Sequence, residues 1–162
     1  MVVLKKIEEI FVTWGFSQKE GIDYEETFTP VEIYTSVRTI LSLASKIKWK
    51  LHQMAVKTTF LNGVIEEEVY IEQPPGFETH NKKTHVCRLK NALYGLKQAP
   101  WAWYGRIDGF MLSLGFTKSK ADSNLYYKVV DDRIMILLID VDDILLKGEK
   151  NIISDSNKKL AS

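Results

Sequence analysis

The chain has 162 residues, of which 45% are hydrophobic, and a formal net charge of +1. This length is typical of about one domain with a real core, the single cysteine excludes an internal disulfide, and no apolar run reaches the roughly 20 residues of a membrane span. The opening MVVLKKIEE becomes charged too early for a secretion signal. We therefore expect an intracellular protein, cytoplasmic or nuclear, that is not secreted and has no membrane partner.

The first clear element is a helix after Pro30. Its apolar residues recur at helical spacing, and Thr35 or Ser36 could cap its first turn; they are Val37, Ile40, Leu41, Ala44 and Ile47. A half-buried strand over 48–56 and a turn at Asn62–Gly63 follow, and EEVYIEQ (67–73) and VCRL (86–89) alternate like short strands.

A second helix is predicted from Pro100 to a stop at Gly115. Its apolar face holds Trp103, Ile107, Phe110, Met111 and Leu114. The remainder is strand: NLYYKVV, a turn at Asp131–Asp132, IMILLI, and a second hairpin turn at Asp142 and Asp143. Helices mixed with hairpin-connected strands predict an α+β fold, with an antiparallel sheet covered by helices on one face.

Three acids interrupt the most apolar run of the chain, LLIDVDDILL (137–146). Asp is a common turn residue, so an Asp-Asp pair has an ordinary structural explanation. Two adjacent carboxylates held by rigid strands could instead bind Mg²⁺, with a third acid on a neighbouring strand. Strand alternation places Asp140 on the same face as Asp142, and a structural Ca²⁺ site at the three acids is a further alternative.

Charge is unevenly distributed along the chain. Residues 82–120 hold eight Lys or Arg against one acid, Asp108, so this segment is +7 and the remainder is −6. Such an asymmetry can mark a polyanion-binding face, although a solvated surface would have the same composition. Both interpretations stay open.

Six sequence blocks occur in an order and spacing that match one family. The chain resembles the reverse transcriptase of copia-type (Ty1-like) LTR retrotransposons. The blocks are QKEGIDYEETFTPV (18–31), VKTTFLNG (56–63), EEEVYIEQPPGF (66–77), ALYGLKQAP (92–100), SLGFTKSKADSNLY (113–126) and VDDILLKG (141–148).

The resemblance implies polymerase fingers and palm over 15–148, preceded by a divergent leader (1–14) and followed by a polar tail (149–162). It implies an RNA or DNA primer-template and dNTPs as partners and two Mg²⁺ ions as cofactors, and we expect no thumb or RNase H. The family's Tyr-Val-Asp-Asp turn falls on residues 140–143, so Asp142 and Asp143 match the catalytic, metal-binding pair.

Other family positions are matched or lost. Phe60 matches the bulky residue that screens out ribonucleotides. The family's loop that contacts template and dNTP falls on Tyr94, Gly95, Lys97 and Gln98. The family's first catalytic aspartate, however, is replaced by Ala55.

Further departures are Asp140 in place of the family's tyrosine, Trp14 where a base is usual, and Trp101 in place of an arginine. Together with Ala55 they predict a reverse transcriptase domain that is catalytically impaired or dead. An active polymerase is one alternative. Another is a nucleic-acid-binding remnant or domesticated module, whose aromatic and basic residues would be Tyr94, Lys97, Trp101, Trp103, Tyr104 and Arg106. The sequence does not determine an oligomeric state.

Overall fold

The computed structural model of the protein describes residues 12–25, 27–31, 33–79 and 84–147. Contacts divide the chain into two compact units, Met1–Phe28 with Phe60–Trp103 and Thr29–Thr59 with Tyr104–Ser162. The predicted tail, and the predicted leader except for residues 12–14, lie outside the described residues. Neither described helix is long and apolar enough to cross a membrane.

The described elements are two α-helices, seven strands and two 3-10 turns. In chain order they are a 3-10 turn (Gly15–Ser17), α1 (Tyr34–Lys46), β1 (Leu51–Ala55), a 3-10 turn (Thr59–Asn62), β2 (Tyr70–Ile71), β3 (Cys87–Arg88), α2 (Ala99–Ser113), β4 (Thr117–Lys118), β5 (Leu125–Val130), β6 (Arg133–Asp140) and β7 (Asp143–Lys147).

Both predicted helices are present, and the sequence predicted the C-terminal end of α2 but not the N-terminal cap of α1. Helix α2 stops before Gly115, whose φ of +79° is favourable for glycine. The predicted cap of α1 is wrong, because its N-cap is Ile33 without a side-chain hydrogen bond, and Thr35 and Ser36 lie inside the first turn. The edge strand β4 was not predicted, since two residues are too few to show a period.

The second unit contains a five-stranded antiparallel sheet in the order β1-β7-β6-β5-β4. The apolar strand β6 lies at its centre, as its sequence indicates. Cross-strand partners project to the same side, and the partners Tyr126, Leu137 and Leu146 are all buried. Tyr126 also hydrogen bonds Asp108 of α2, so α2 lies against this side. The α+β class is confirmed.

The first unit is built on a small core and a two-stranded sheet. Strands β2 and β3 pair antiparallel through Tyr70↔Arg88 and Ile71↔Cys87, so both predicted strands exist but are shorter than predicted. The buried core consists of Ile65, Val69, Ala92, Leu96 and Ala99. It surrounds the segment that carries Tyr94 to Gln98.

Candidate functional site

The three acids of the apolar run lie around a two-residue hairpin turn. Strand β6 ends at Asp140, β7 begins at Asp143, and these two residues are paired across the hairpin. The turn residues are therefore Val141 and Asp142. The prediction that placed Asp142 and Asp143 together in the turn is wrong by one residue, because Asp143 already belongs to the ladder.

The backbone of this turn is strained at Val141. Its φ is +53°, a region that a β-branched side chain rarely adopts. The following residue does not have a positive φ, and a turn of that kind normally has glycine at its first central position. The turn is also tied to the end of β1, since the Val56 N–H donates to the Asp142 carbonyl oxygen at 2.8 Å.

The carboxylates stand at the exposed end of a buried strand pair. Ile139 and Ile144 are 3% and 0% exposed, whereas Asp140 and Asp142 are exposed and Asp143 is half-buried. Because these carboxylates are accessible to solvent, they need no buried partner even though they follow the apolar strand β6. Asp140 shares a side of the sheet with its cross-strand partner Asp143, not with the turn residue Asp142, which corrects the simple alternation argument.

Ala55 lies directly opposite Asp143. The β1–β7 register pairs these residues, and Ala55 is exposed. Ala55, Asp143 and Asp140 thus occupy one side of three adjacent strands, and only the alanine lacks an oxygen donor in its side chain. Among the described residues, no three His, Cys, Asp or Glu side chains are grouped so that they could hold a metal ion. The donors present therefore do not form a complete metal site.

The other sequence-predicted residues lie in the first unit. The rings of Phe60 and Tyr94 meet edge to face, with 5.1 Å between their centroids. The Thr13 N–H donates to the Tyr94 carbonyl oxygen at 2.7 Å. Gly95 has a φ of +95°, and a Cβ there would lie 2.0 Å from the Thr13 carbonyl oxygen. This close approach of two backbones requires glycine.

Lys97 and Gln98 are engaged inside the first unit. Gln98 is 1% exposed; its side-chain oxygen accepts from Gln18 at 2.9 Å, and its side-chain nitrogen donates to the Asp23 carbonyl oxygen at 3.1 Å. The Lys97 ammonium donates to the Tyr24 hydroxyl at 3.1 Å. In this structure Gln98 organises its loop, and Lys97 is exposed but already has an aromatic partner.

The aromatic and basic residues suggested as a stacking surface are only partly available. Trp103 and Tyr104 are 5% and 8% exposed, so neither ring can stack on a base without leaving the core. The basic segment is also partly neutralised internally, because Arg88 pairs with Glu68 at 3.0 Å and Lys118 with Asp108 at 2.7 Å. Lys82 and Lys83 lie outside the described residues.

Sequence reasoning missed a polar network beneath the sheet. The Tyr126 hydroxyl donates to Asp108 at 2.6 Å; burial, and then this hydrogen bond, raise the pKa of Tyr126 well above its usual range. Burial alone would lower the pKa of Lys118, but hydrogen bonds with Asp108 and Tyr104 raise it on balance. The only signal in the sequence was that Asp108 is the single acid of the basic segment 82–120. Its partners Tyr126 and Lys118 could not be predicted, because the fold brings them to Asp108.

A second missed feature is the loop before β5. The Ile139 N–H, one residue before Asp140, donates to the Asn124 carbonyl oxygen at 3.0 Å. The Asn124 side chain donates to the Pro30 carbonyl oxygen at 3.1 Å, and Asp122 accepts the Asn124 N–H at 2.9 Å. These bonds position the end of β6 that carries the acids.

Comparison with known families now identifies the chain. The sequence matches the family model of the reverse transcriptase (RNA-dependent DNA polymerase) over residues 3–162. The chain belongs to the reverse transcriptase family. This confirms the resemblance that the six sequence blocks indicated.

The curated relatives of this reverse transcriptase chain include Pol polyproteins of transposons. It is 50% identical to the retrovirus-related Pol polyprotein from transposon TNT 1-94 of Nicotiana tabacum over 139 residues, which are 85% of this chain and 10% of the relative. It is 40% identical to the transposon RE2 Pol polyprotein of Arabidopsis thaliana over 150 residues, 93% of this chain and 10% of the relative.

The transposon Ty1-BL Gag-Pol polyprotein of Saccharomyces cerevisiae is 31% identical over 125 residues, 77% of this chain and 7% of the relative. The chain therefore spans about a tenth of the length of the TNT 1-94 and RE2 polyproteins. No solved structure matches it.

Proposed function

We propose that the chain is a fingers–palm portion of a reverse transcriptase, over about residues 15–148, whose carboxylate site is impaired. Asp142 and Asp143 are the metal-binding, catalytic pair in this proposal. The substrates are an RNA or DNA primer-template and dNTPs. The family membership supports the substrate class, and the hairpin geometry supports the assignment of the two acids.

The observation that carries the proposal is the register of β1 against β7. The motif resemblance puts the missing aspartate at position 55, which is Ala55, and β1 pairs Ala55 with Asp143. A carboxylate at position 55 would face the acidic hairpin from the neighbouring strand, as a shared metal site needs. Alanine supplies no ligand there.

Mg²⁺ would supply charge neutralisation at the transferring phosphoryl group and orient its oxygens. Asp142 and Asp143 are the residues present that could contribute to holding it, and we propose that two carboxylates from one hairpin are insufficient for a two-ion site. Loss of one main electrostatic element typically lowers a rate by about 10²–10³. Asp140 lies on the Asp143 side of the sheet and is the available candidate for partial compensation.

Substrate contacts in the first unit complete the proposal. Phe60 is the candidate residue that excludes ribonucleotides, and its packing against Tyr94 supports a fixed ring position. Lys97 is exposed and positively charged, as a contact with phosphate requires. Tyr94 and Gly95 shape the loop, and the buried Gln98 supports it through hydrogen bonds to Gln18 and Asp23.

The test is primer extension with the chain and its Ala55→Asp variant. We expect Mg²⁺- or Mn²⁺-dependent extension to increase by about 10²–10³ in the variant, because the shared carboxylate is restored. Gln53→Asp is the matched control: residue 53 is exposed, lies on the same strand and side, and is about 7 Å further along. Ala55→Asn separates charge from size.

The outcomes distinguish charge at one position from charge in general. Extension by the unaltered chain at the level of Ala55→Asp would contradict the proposal of an impaired site. Equal gains from Gln53→Asp and Ala55→Asp would show that added acid, not the position opposite Asp143, matters. Ala55→Asp/Asp143→Asn should return extension to the level of the unaltered chain.

Binding of nucleic acid without catalysis is the second candidate. Its support is Arg38 and Lys46 of α1 in the second unit, which are exposed and form no ion pair with any described residue. They lie outside the basic segment 82–120 that composition alone indicates.

A further inference from the structure

The helix α1 and the residues after it are basic without compensation. Residues 34–50 contain Arg38, Lys46, Lys48 and Lys50 and no Asp or Glu. All four basic side chains are exposed. This +4 stretch is not evident as a basic segment in the sequence, because its four charges are separated by apolar and hydroxyl residues.

One face of α1 forms a shallow groove. Its volume is about 510 Å³, and it is lined by Thr35, Arg38, Thr39, Ser42, Leu43 and Lys46. Positions three and four apart share a helix face, so these residues form one continuous row. The residues Ile40 and Ala44 are buried, which fixes the row as the outward side of the helix.

The cations of this row differ from three cations of the 82–120 segment in having no partner among the described residues. Within the described ranges, no residue forms an ion pair or hydrogen bond with the side chains of Arg38 or Lys46. Arg88, Lys97 and Lys118, by contrast, are each engaged with Glu68, Tyr24 and Asp108, respectively. Arg38 and Lys46 are therefore a second set of exposed cations, which the charge composition of the 82–120 segment does not indicate.

The helix dipole accounts for only part of this charge. Lys46 is in the last turn of α1, where the helix C-terminus stabilises a cation. Arg38 is the fifth residue of the helix, in its N-terminal half, where the dipole offers no such stabilisation. An external anion would account for both residues.

We propose that the outward face of α1, centred on Arg38 and Lys46, binds the phosphate backbone of nucleic acid. The inference rests on the proposed function for the choice of nucleic acid among polyanions. Arg38 and Lys46 are eight residues, roughly 12 Å, apart along the helix, so they would contact two different phosphates of one strand. Backbone contacts of this kind give affinity without sequence preference.

The experiment measures binding of a fluorescein-labelled single-stranded RNA of about 20 nucleotides by anisotropy across a salt series, without divalent metal or dNTP. Removing two phosphate contacts should reduce the slope of log affinity against log salt by about 1.4. We expect this reduction, with at least tenfold weaker binding at low salt, in Arg38→Gln/Lys46→Gln. Arg38→Glu alone should weaken binding further than Arg38→Gln, because it adds repulsion.

Lys90→Gln/Lys120→Gln is the matched control. It removes the same charge from two exposed positions in the 82–120 segment, and its affinity should stay within about twofold of the unaltered chain. Circular dichroism spectra of all variants establish that each keeps its fold, which is expected because the substituted side chains are exposed.

Three results would overturn the proposal: no binding by the unaltered chain at low salt, an equal loss in the control pair, or competition by poly-glutamate as effective as that by unlabelled RNA. The test is separate from the catalytic one. RNA affinity could have a salt dependence that requires Arg38 and Lys46 while Ala55→Asp gives no gain in primer extension. That result would contradict the proposed active site and support the proposed binding surface.

Discussion

The central strand β6 begins and ends at a two-residue turn, and both turns are rich in aspartate. The first turn has Asp131 and Asp132 at its centre, with φ values of +49° and +59°, which aspartate tolerates. The second has Val141 and Asp142, and the strained position is the valine. The same Asp-Asp dipeptide thus forms a whole turn in one case and straddles a turn and a strand in the other.

The two turns also differ in how they are anchored. Next to the first turn, Ile134 is 39% exposed and its partner Val129 is 61% exposed. Next to the second, Ile139 and Ile144 are almost completely buried. The Asp131–Asp132 turn, whose backbone is unstrained, is therefore flanked by exposed side chains. The Val141–Asp142 turn, whose backbone is strained, is flanked by buried ones. Strain persists where surrounding packing fixes the conformation.

The largest effect should come from removing the anchor. Ile144→Ala should lower the free energy of unfolding by about 2–5 kcal/mol, because a fully buried side chain leaves a cavity. Ile134→Ala, at the equivalent position after the other turn, should lower it by less than about 1.5 kcal/mol. Urea unfolding followed by circular dichroism measures both. Equal losses would show that the two ends of β6 are anchored alike.

An intermediate effect is expected from the network behind β6. Tyr126 pairs with Leu137, in the half of β6 nearer the acids, and its hydroxyl donates to Asp108. Tyr126→Phe should lower the free energy of unfolding by about 1.5–3 kcal/mol, the range for a hydrogen bond to a charged group. Tyr127→Phe, which removes the same hydroxyl from the neighbouring and 41% exposed tyrosine of β5, is the comparison variant.

The same residue sets a pH dependence. The folded state raises the pKa of Tyr126 by burial and by the hydrogen bond to Asp108. This stabilisation is therefore complete below the ordinary tyrosine pKa of about 10 and is lost as pH rises above it. The raised pKa of Lys118 acts in the same direction. Urea unfolding between pH 8 and 11 should show a falling stability that is shallower in Tyr126→Phe.

The smallest effect tests the turn backbones themselves. Val141→Gly should raise the free energy of unfolding by about 0.5–1 kcal/mol, because relief of a left-handed valine exceeds the entropy that glycine adds to the unfolded chain. Asp131→Gly should not stabilise, since aspartate already accepts that conformation. A stabilisation by Asp131→Gly as large as that by Val141→Gly would mean that Val141 is not strained.

Local signals in the sequence predicted much of this architecture. The 3.6-residue period of α2 and its terminal glycine were sufficient to place that helix, and the apolar run of β6 indicated a central strand. The Asp131–Asp132 turn followed from turn chemistry. Short strands such as β4 and the cap of α1 could not be predicted, because two residues show no period and a cap depends on where the preceding chain lies.

The candidate site divides in the same way. Sequence by itself determined the family, the α+β class, the acidic hairpin and the alanine in place of an aspartate. Tertiary structure alone decided that Ala55 faces Asp143, that Asp140 shares their side of the sheet, and that Arg38 and Lys46 are without described partners while Lys118 is not. Pairing between distant strands is selected by burying one face of the sheet, and that choice depends on the whole core rather than on any local stretch of residues.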